Sequence, residues 1–285
     1  MPELPEVETI RQDLREKIIG QRIAGVFVYA RKSVRGRNFE KTLKGLSIRQ
    51  ISRIGKLLIL SLSGLGKRYL LIHLKMTGQL VYAGGRSMIV GGHSYGHKMD
   101  LPNAYTRVAI SFTNGGQLFF NDLRRFGYLR IAGQAEIDKI KSGFGIEPLT
   151  EKFIFDDFRK ILKSRQAPIK AVLLNQKLVA GIGNIYADEI LFKASVRPDR
   201  HAAGLDQKET KAIFKASLEI LKKAIEHRGT TVSDYLDANG RQGGYMKFLK
   251  VYGRREGERC FRCGGAIKKI KVAGRGTRFC GGCQR

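Results

Sequence analysis

The placement of the cysteines constrains the fold of this chain more than any other feature. All four lie within the last 26 of 285 residues, as two Cys-x2-Cys pairs with sixteen residues between them: Cys260, Cys263, Cys280 and Cys283. Two such pairs can bring four thiolates to one tetrahedral ion, with no open position left for catalysis. In a chain expected to be cytosolic, this clustering favours a metal over disulfides. The spacing therefore predicts one structural zinc ion, whose binding contributes folding free energy to a segment too short for its own core.

The charge of the chain indicates a polyanionic partner. Lysine and arginine number 53 against 25 aspartate and glutamate residues, which gives a net charge of +28. Self-repulsion on this scale disfavours the compact state, and cations that neutralise phosphates release condensed counterions. Nucleic acid is therefore the expected partner. An anionic membrane is the alternative, but no apolar run approaches the ~20 residues of a membrane span.

The length and the start of the chain bear on its organisation and location. A globular chain of 285 residues is expected to form two domains, or one domain with appendages. The first six residues are acidic and proline-rich, whereas a signal peptide begins with a basic segment. We therefore expect a cytoplasmic protein.

The first 135 residues show one helical pattern followed by several strand patterns. Apolar residues at helical spacing predict an amphipathic helix from about Pro5 to Ile19. Strand patterns follow at 22–29, 57–62, 69–74, 108–112 and 117–120, and turn residues join the last four into two hairpins. The stretch 83–100 is rich in glycine, serine and histidine and is predicted to be a flexible loop.

The pattern becomes helical after Gly143. Four amphipathic segments predict four helices between about residues 145 and 228. A glycine-rich stretch at 239–245 then precedes the cysteine segment. The sequence therefore predicts an α+β multidomain chain.

The N-terminal proline offers an unusual nucleophile. Met1 is readily removed before a small residue, and Pro2 would then carry a free secondary amine with a pKa near ~8. Such an amine can attack an electrophilic carbon and form an iminium, which is charged without protonation. Glu3 and Glu6 lie beside it, although acidic residues in a first helical turn are also ordinary helix design.

Seven short motifs accompany the cysteine segment. In chain order they are the run Pro2 to Thr9, Gly55-Lys56, the run His73 to Gly78, the run Asp122 to Gly127, the run Gly181 to Glu189, the run Val251 to Arg254, and Gly274-Arg275-Gly276-Thr277. Over essentially its whole length, the chain resembles bacterial formamidopyrimidine-DNA glycosylase and its relative, the endonuclease VIII branch. The order and spacing of the motifs make this resemblance specific.

The resemblance implies a fold in three parts. Residues 1–135 would form the catalytic domain, an N-terminal helix plus a β-sandwich. Residues 145–228 would form a helix–two-turn–helix DNA-binding domain. Residues 229–285 would form a lesion-capping loop and a four-cysteine zinc-finger β-hairpin. We expect a monomer that acts on damaged double-stranded DNA.

The resemblance also implies the chemistry of base excision repair. The family combines a glycosylase for oxidised purines, such as 8-oxoguanine and formamidopyrimidines, with an abasic-site lyase. Pro2 would attack C1′, expel the base and form an iminium, and β- and then δ-elimination would cut the strand. Glu3 would act as general acid/base at the sugar, Glu6 would support the site, and Lys56 would hold phosphates around the lesion.

Six further residues match DNA-contacting positions of the family. A base must leave the duplex to be reached, so its place has to be filled. Met76, Arg124 and Phe126 match the intercalating trio, although Met76 and Phe126 by themselves are more typical of strand-end core. The remaining three match phosphate contacts: His73, Asn184 and Arg275. Asn184 is also explained as a plain helix N-cap, and His73 as a core histidine.

Two other functions stay open. The start Glu3-Leu4-Pro5-Glu6 is typical of the purine-specific branch, and the segment from Gly229 to Tyr245 resembles the loop that closes over 8-oxoguanine. The first alternative is the same enzyme class with oxidised pyrimidines as its main substrates. The second is a non-catalytic DNA-binding protein that retains Met1.

Overall fold

A computed structural model describes residues 1–64, 66–84, 87–93, 100–230, 235–236 and 243–285. The chain forms two compact units, one of residues 1–142 with 227–246 and one of residues 143–226 with 247–285. The predicted α+β fold class is confirmed. The boundaries of the three predicted domains stay a prediction. Among the described residues, no helix combines the length and the apolarity that crossing a membrane requires.

The first unit begins with the predicted amphipathic helix. Helix α1 spans Leu4–Ile18, and its buried side chains recur at helical spacing. Proline in its first turn has no N–H that would lack a partner there. Two further α-helices of this unit are short, α2 at Phe39–Leu43 and α3 at Gln134–Ser142.

Eleven strands in the described part of the first unit form two sheets. Their bounds are β1 Ile23–Val28, β2 Val34–Arg35, β3 Ile48–Ile54, β4 Leu57–Leu62, β5 Arg68–His73, β6 Gly78–Gly84, β7 Ser87–His93, β8 Thr106–Phe112, β9 Gln117–Asp122, β10 Tyr128–Gly133 and β11 Tyr235–Leu236. One sheet has the order β1-β8-β9-β6-β7-β11, and the other the order β2-β10-β5-β4-β3. Both predicted hairpins are confirmed, because β4 pairs with β5 and β8 with β9 in antiparallel register.

The core of the first unit lies between these elements. It contains apolar side chains of α1, α2 and strands of both sheets, among them Ile10, Leu60, Ile72, Ile110 and Phe120. Two sheets that share one core form the predicted β-sandwich. The loop predicted at 83–100 is wrong in part, because β6 extends to Gly84 and β7 occupies Ser87–His93, between β6 and β11. Residues 85–86 and 94–99 of that stretch lie outside the described residues.

The second unit contains the four predicted helices and the cysteine segment. The helices are α4 Phe155–Lys163, α5 Ile169–Leu174, α6 Asn184–Lys193 and α7 Gln207–Glu226. Strands β12, Ile267–Val272, and β13, Arg275–Cys280, form an antiparallel hairpin. Phe192 of α6 packs in one cluster with Val251, Ile267, Cys260 and Cys280. The hairpin therefore has an apolar support within its own unit.

Candidate functional site

The start of α1 gathers two buried carboxylates next to Pro2. Glu3 and Glu6 are both buried and form a reciprocal capping box. The Glu3 backbone N–H donates to Glu6 Oε2 at 2.9 Å, and the Glu3 carboxylate accepts from the backbone N–H of Glu6. The box fixes the direction of the chain at Pro2, which is itself buried. In the structure Met1 precedes Pro2, so the Pro2 nitrogen is part of a peptide bond.

Helix α1 also holds the segment that follows α7. Glu6 Oε1 accepts from the Thr230 backbone N–H at 2.8 Å, and Arg228 Nη2 donates to the Asp13 carboxylate at 2.7 Å. Gly229 between them has a φ of +83°, and a Cβ there would come within 2.8 Å of Glu6 Oε1. Only glycine meets both conditions without strain. The predicted lesion-capping loop begins at this point, and its residues 231–234 and 237–242 lie outside the described residues.

Lys56 lies in the turn of the hairpin formed by β3 and β4. The turn has two residues, Gly55 and Lys56, and Gly55 has a φ of +53°. The Lys56 side chain is only 7% exposed despite its charge. Its ammonium group is close enough to His73 to lower the pKa of that histidine.

His73 ends β5 and is paired with Tyr128 of β10. Burial, together with the ammonium groups of Lys75 and Lys56, lowers the pKa of His73 to about 3. The ring is therefore neutral at pH 7. Its Nδ1 accepts from the Lys75 backbone N–H at 3.0 Å, so the proton is on Nε2. His73 can thus offer one neutral N–H donor, which a phosphate oxygen can accept.

Met76, Arg124 and Phe126 form one exposed cluster. Met76 is 39% exposed and Phe126 52%. Arg124 Nη1 lies 3.3 Å from Met76 Sδ, and Arg124 Cζ lies 4.7 Å from the centroid of the Phe126 ring. The alternative that Met76 and Phe126 belong to the core is wrong. We call these three residues the wedge cluster.

Buried polar contacts connect α5 and α6 to the zinc hairpin. Lys170 and Asp188 are fully buried, with Nζ and Oδ1 2.6 Å apart. Lys170 Nζ also donates to Thr277 Oγ1 at 2.7 Å, and Asp188 Oδ2 accepts from the Arg278 backbone N–H at 3.1 Å. Burial raises the pKa of Asp188 to about 6, against the opposing effect of Lys170. Sequence reasoning missed this pair because nothing local in the sequence joins the two residues.

Asn184 and Arg275 lie at the edge of this network. Asn184 is the first residue of α6, and Gly183 is the N-cap, so the prediction of an Asn184 N-cap is wrong. Its Nδ2 donates to the Gly276 carbonyl at 3.1 Å, next to Arg275. Arg275 is exposed at the start of β13. The structure therefore brings two predicted phosphate contacts, Asn184 and Arg275, to neighbouring positions.

Glu189 holds the segment that precedes the hairpin. Its carboxylate accepts from the backbone N–H groups of Lys250, Val251 and Tyr252 at 2.8–3.0 Å. Burial raises the pKa of Glu189, while these hydrogen bonds oppose the shift. The runs Gly181 to Glu189 and Val251 to Arg254 are far apart in the sequence but in direct contact in the structure.

The four cysteines converge as predicted. Their Sγ atoms all lie within 4.8 Å of one another, with 3.8 Å between Cys260 and Cys283 and 3.5 Å between Cys263 and Cys280. Tetrahedral zinc with Zn–S bonds of about 2.3 Å requires sulfurs roughly 3.8 Å apart. The thiolate donor set and its spacing fit one zinc ion, whose role is structural.

Comparison with known proteins agrees with both units. The chain matches the family models for the formamidopyrimidine-DNA glycosylase N-terminal domain over residues 1–129, for its H2TH domain over 144–235, and for the zinc finger found in FPG and IleRS over 257–285. The formamidopyrimidine-DNA glycosylase of Pelotomaculum thermopropionicum is 41% identical over 100% of this chain and 99% of its own length.

Two solved structures of Lactococcus lactis Fpg are similar over 100% of both chains. A mutant bound to DNA containing Fapy-dG has a TM-score of 0.86 at 36% identity. The wild-type protein bound to DNA containing an oxidised pyrimidine has a TM-score of 0.85 at 35% identity. Fold, zinc finger and relatives together define a DNA-binding glycosylase of DNA repair. Within this class, the chain belongs to the formamidopyrimidine-DNA glycosylase family.

Proposed function

We propose that the protein is a bifunctional enzyme that excises oxidised purines from duplex DNA and then cleaves the abasic strand. The observation that carries this proposal is the buried start of α1, where Pro2 is flanked by Glu3 and Glu6 in a fixed backbone geometry. Membership of the family and the DNA-bound relatives support it. The substrates would be 8-oxoguanine and formamidopyrimidines.

The first step would be displacement of the base. With Met1 removed, the lone pair of the Pro2 nitrogen attacks C1′ of the damaged nucleotide. The bond from C1′ to the base breaks, its electron pair leaves with the base, and a proton neutralises the base. The bond between C1′ and O4′ then breaks, and Glu3 as general acid/base moves the amine proton to O4′. An iminium between Pro2 and C1′ remains.

The iminium is an electron sink for strand cleavage. Removal of a proton from C2′ converts the iminium into an enamine. The enamine then expels the 3′ phosphate from C3′ by β-elimination. Removal of a proton from C4′ of the resulting conjugated iminium then expels the 5′ phosphate from C5′ by δ-elimination. Lys56, whose side chain lies at the turn between β3 and β4, would hold the phosphates around the lesion, and Glu6 would support the amine.

The wedge cluster would keep the duplex open. A flipped base leaves a gap, and unstacking costs a few kcal/mol. Phe126 is exposed enough to insert between bases, and Met76 can fill the vacated position. Arg124 could hydrogen-bond to the unpaired partner base.

Phosphate contacts would come from both units. His73 would donate through Nε2–H, and Asn184 and Arg275 would bind the backbone next to the zinc hairpin. Residues 1–135 would thus supply the chemistry, 145–228 DNA binding, and 229–285 the capping loop and finger. We further propose a monomeric, cytoplasmic enzyme.

A lesion panel tests the proposal. Single-turnover release of base is measured from matched duplexes with 8-oxoguanine, formamidopyrimidine, 5-hydroxycytosine or thymine glycol opposite the natural partner. Fast release of both purine lesions is expected. Preference for the two pyrimidines would instead establish the second candidate, which the relative bound to an oxidised pyrimidine favours.

A non-catalytic DNA-binding protein is tested by intact mass. The natively expressed protein is expected to lack the mass of Met1, because this methionine precedes a small residue. The proposed chemistry requires this removal, since it frees the Pro2 amine. A retained Met1, together with duplex binding but no base release, would show that the protein binds DNA without catalysing base excision.

A further inference from the structure

Asp122 is a fully buried carboxylate directly behind the wedge cluster. It is the last residue of β9 and pairs with Gly78 of β6. The loop that carries Met76 therefore ends beside the loop that carries Arg124 and Phe126. Asp122 lies where the two loops meet.

The Asp122 carboxylate receives hydrogen bonds from both loops. Oδ1 accepts from the Thr77 hydroxyl at 2.5 Å and from the Arg124 backbone N–H at 3.2 Å. Oδ2 accepts from the Gly127 backbone N–H at 2.6 Å. Thr77 Oγ1 in turn accepts from the Arg124 N–H at 3.1 Å. One side chain thus fixes the residue after Met76 and the residues on both sides of the Arg125-Phe126 pair.

The surroundings leave this arrangement little freedom. Arg107, itself buried, donates from Nε to the Asp122 carbonyl at 2.8 Å. A Cβ on Gly127 would lie 2.7 Å from Phe120 Cζ and 3.0 Å from the His73 carbonyl, so this loop passes close to the sheet. The Thr77 hydroxyl and the backbone N–H groups of Arg124 and Gly127 all donate to this carboxylate, so its two oxygens act as acceptors for both loops.

We propose that Asp122, with Thr77, is the positioning residue that holds the wedge cluster in the geometry required for insertion into the duplex. The inference rests on the proposed function, because it assigns a step of that reaction to this contact. Asp122 touches neither the nucleotide nor Pro2 in this account. Its loss should impair opening of a paired lesion and spare chemistry on a nucleotide that needs no flipping.

Asp122→Asn is the first test variant, because it keeps the shape and replaces one acceptor oxygen with a donor. That donor faces either the Gly127 N–H or the Thr77–Arg124 pair, so one contact must be lost. Thr77→Val replaces the hydroxyl with a methyl group, whereas Thr77→Ser keeps the hydroxyl. Asn121→Ala is the matched control: Asn121 is the preceding, equally buried residue of β9, and it hydrogen-bonds to Gln79 and Thr106 instead.

Two rates are compared for each variant under single-turnover conditions. One is base release from 8-oxoguanine paired with cytosine, with 2-aminopurine beside the lesion to report unstacking. The other is strand cleavage at an abasic site in a single-stranded oligonucleotide. For Asp122→Asn and Thr77→Val we expect the first rate and the fluorescence rise to fall at least about tenfold, and the second to stay within about twofold.

Thr77→Ser should release the base at a rate close to that of the parent. Asn121→Ala should leave the ratio of the two rates unchanged even if it lowers the melting temperature. Equal loss of both rates in Asp122→Asn, or the same change in ratio for Asn121→Ala, would show a merely structural role and overturn the inference. Failure of the parent protein on every lesion would instead overturn the proposed function.

Discussion

His73 is a side chain whose protonation differs between the unfolded and the folded chain. Burial and two neighbouring ammonium groups lower its pKa from 6.5 to about 3. Between pH 6.5 and about pH 3, His73 is largely protonated in the unfolded chain and largely neutral in the folded chain. The contribution of His73 to stability is therefore present above pH 6.5 and is lost as the pH falls toward 3.

The His73→Asn variant tests this sign. Asparagine retains an acceptor for the Lys75 N–H but has no proton to titrate. From pH 7 to pH 5, we expect the free energy of unfolding of the parent to drop by about 1 to 2 kcal/mol more than that of the variant. Urea denaturation at both pH values measures this difference. Parallel pH dependences would show that His73 is not held neutral.

Glu3 carries the second residue-scale prediction. Glu3→Gln keeps a carbonyl that can accept the Glu6 N–H, so the capping box and the fold are retained. General acid–base catalysis is lost, and base release should fall about 100-fold or more while duplex affinity stays unchanged. Quenched time-course assays on an 8-oxoguanine duplex measure the rate of base release, and fluorescence anisotropy measures the duplex affinity.

The control for this variant is Glu8→Gln, which removes the same charge from the same helix. Glu8 forms ion pairs with Arg11 and Arg53 rather than with the chain start, and those pairs lower its pKa against the opposing effect of burial. Its variant should keep base release within about twofold. A fully active Glu3→Gln would remove Glu3 from the chemistry.

Among the elements, those with strong local patterns could be predicted and those that depend on distant partners could not. Helix α1 and both hairpins agree with the sequence to within one or two residues, because helical spacing and turn glycines are local signals. Strand β7 was missed because glycines outweighed its short apolar run, and pairing with β6 stabilises it. The Lys170–Asp188 and Asp122–Thr77 contacts join residues far apart in the sequence, so only the fold reveals them.

The stability of the zinc hairpin should depend on its metal ion more than on its apolar contacts. The apolar cluster that supports it is small and is shared with Phe192 of α6, so without the ion the four thiolates have no common centre. Chelation should abolish duplex binding but leave the far-ultraviolet circular dichroism of the β-sandwich largely intact. Added zinc should restore binding. Unchanged affinity in metal-free protein, with zinc content confirmed by mass spectrometry, would refute the prediction.

At the scale of the whole molecule, a net charge of +28 should dominate affinity for DNA. Each phosphate contact releases counterions, so the logarithm of the association constant should fall steeply and linearly with the logarithm of salt concentration. Arg275→Ala should reduce this slope by about one. Arg275→Lys, which keeps the charge, should not. A slope near zero for the parent would contradict the electrostatic account.

The central claim is that the amine of Pro2 forms a covalent iminium with the damaged nucleotide, and borohydride trapping tests it most directly. Protein lacking Met1 and its Pro2→Gly variant, whose free amine is primary, are each incubated with a duplex containing one 8-oxoguanine opposite cytosine. Borohydride reduces any iminium to a stable adduct. We expect abundant adduct with the parent and far less with Pro2→Gly. No adduct from parent protein with a free Pro2, on this duplex and on an abasic one, would contradict the account.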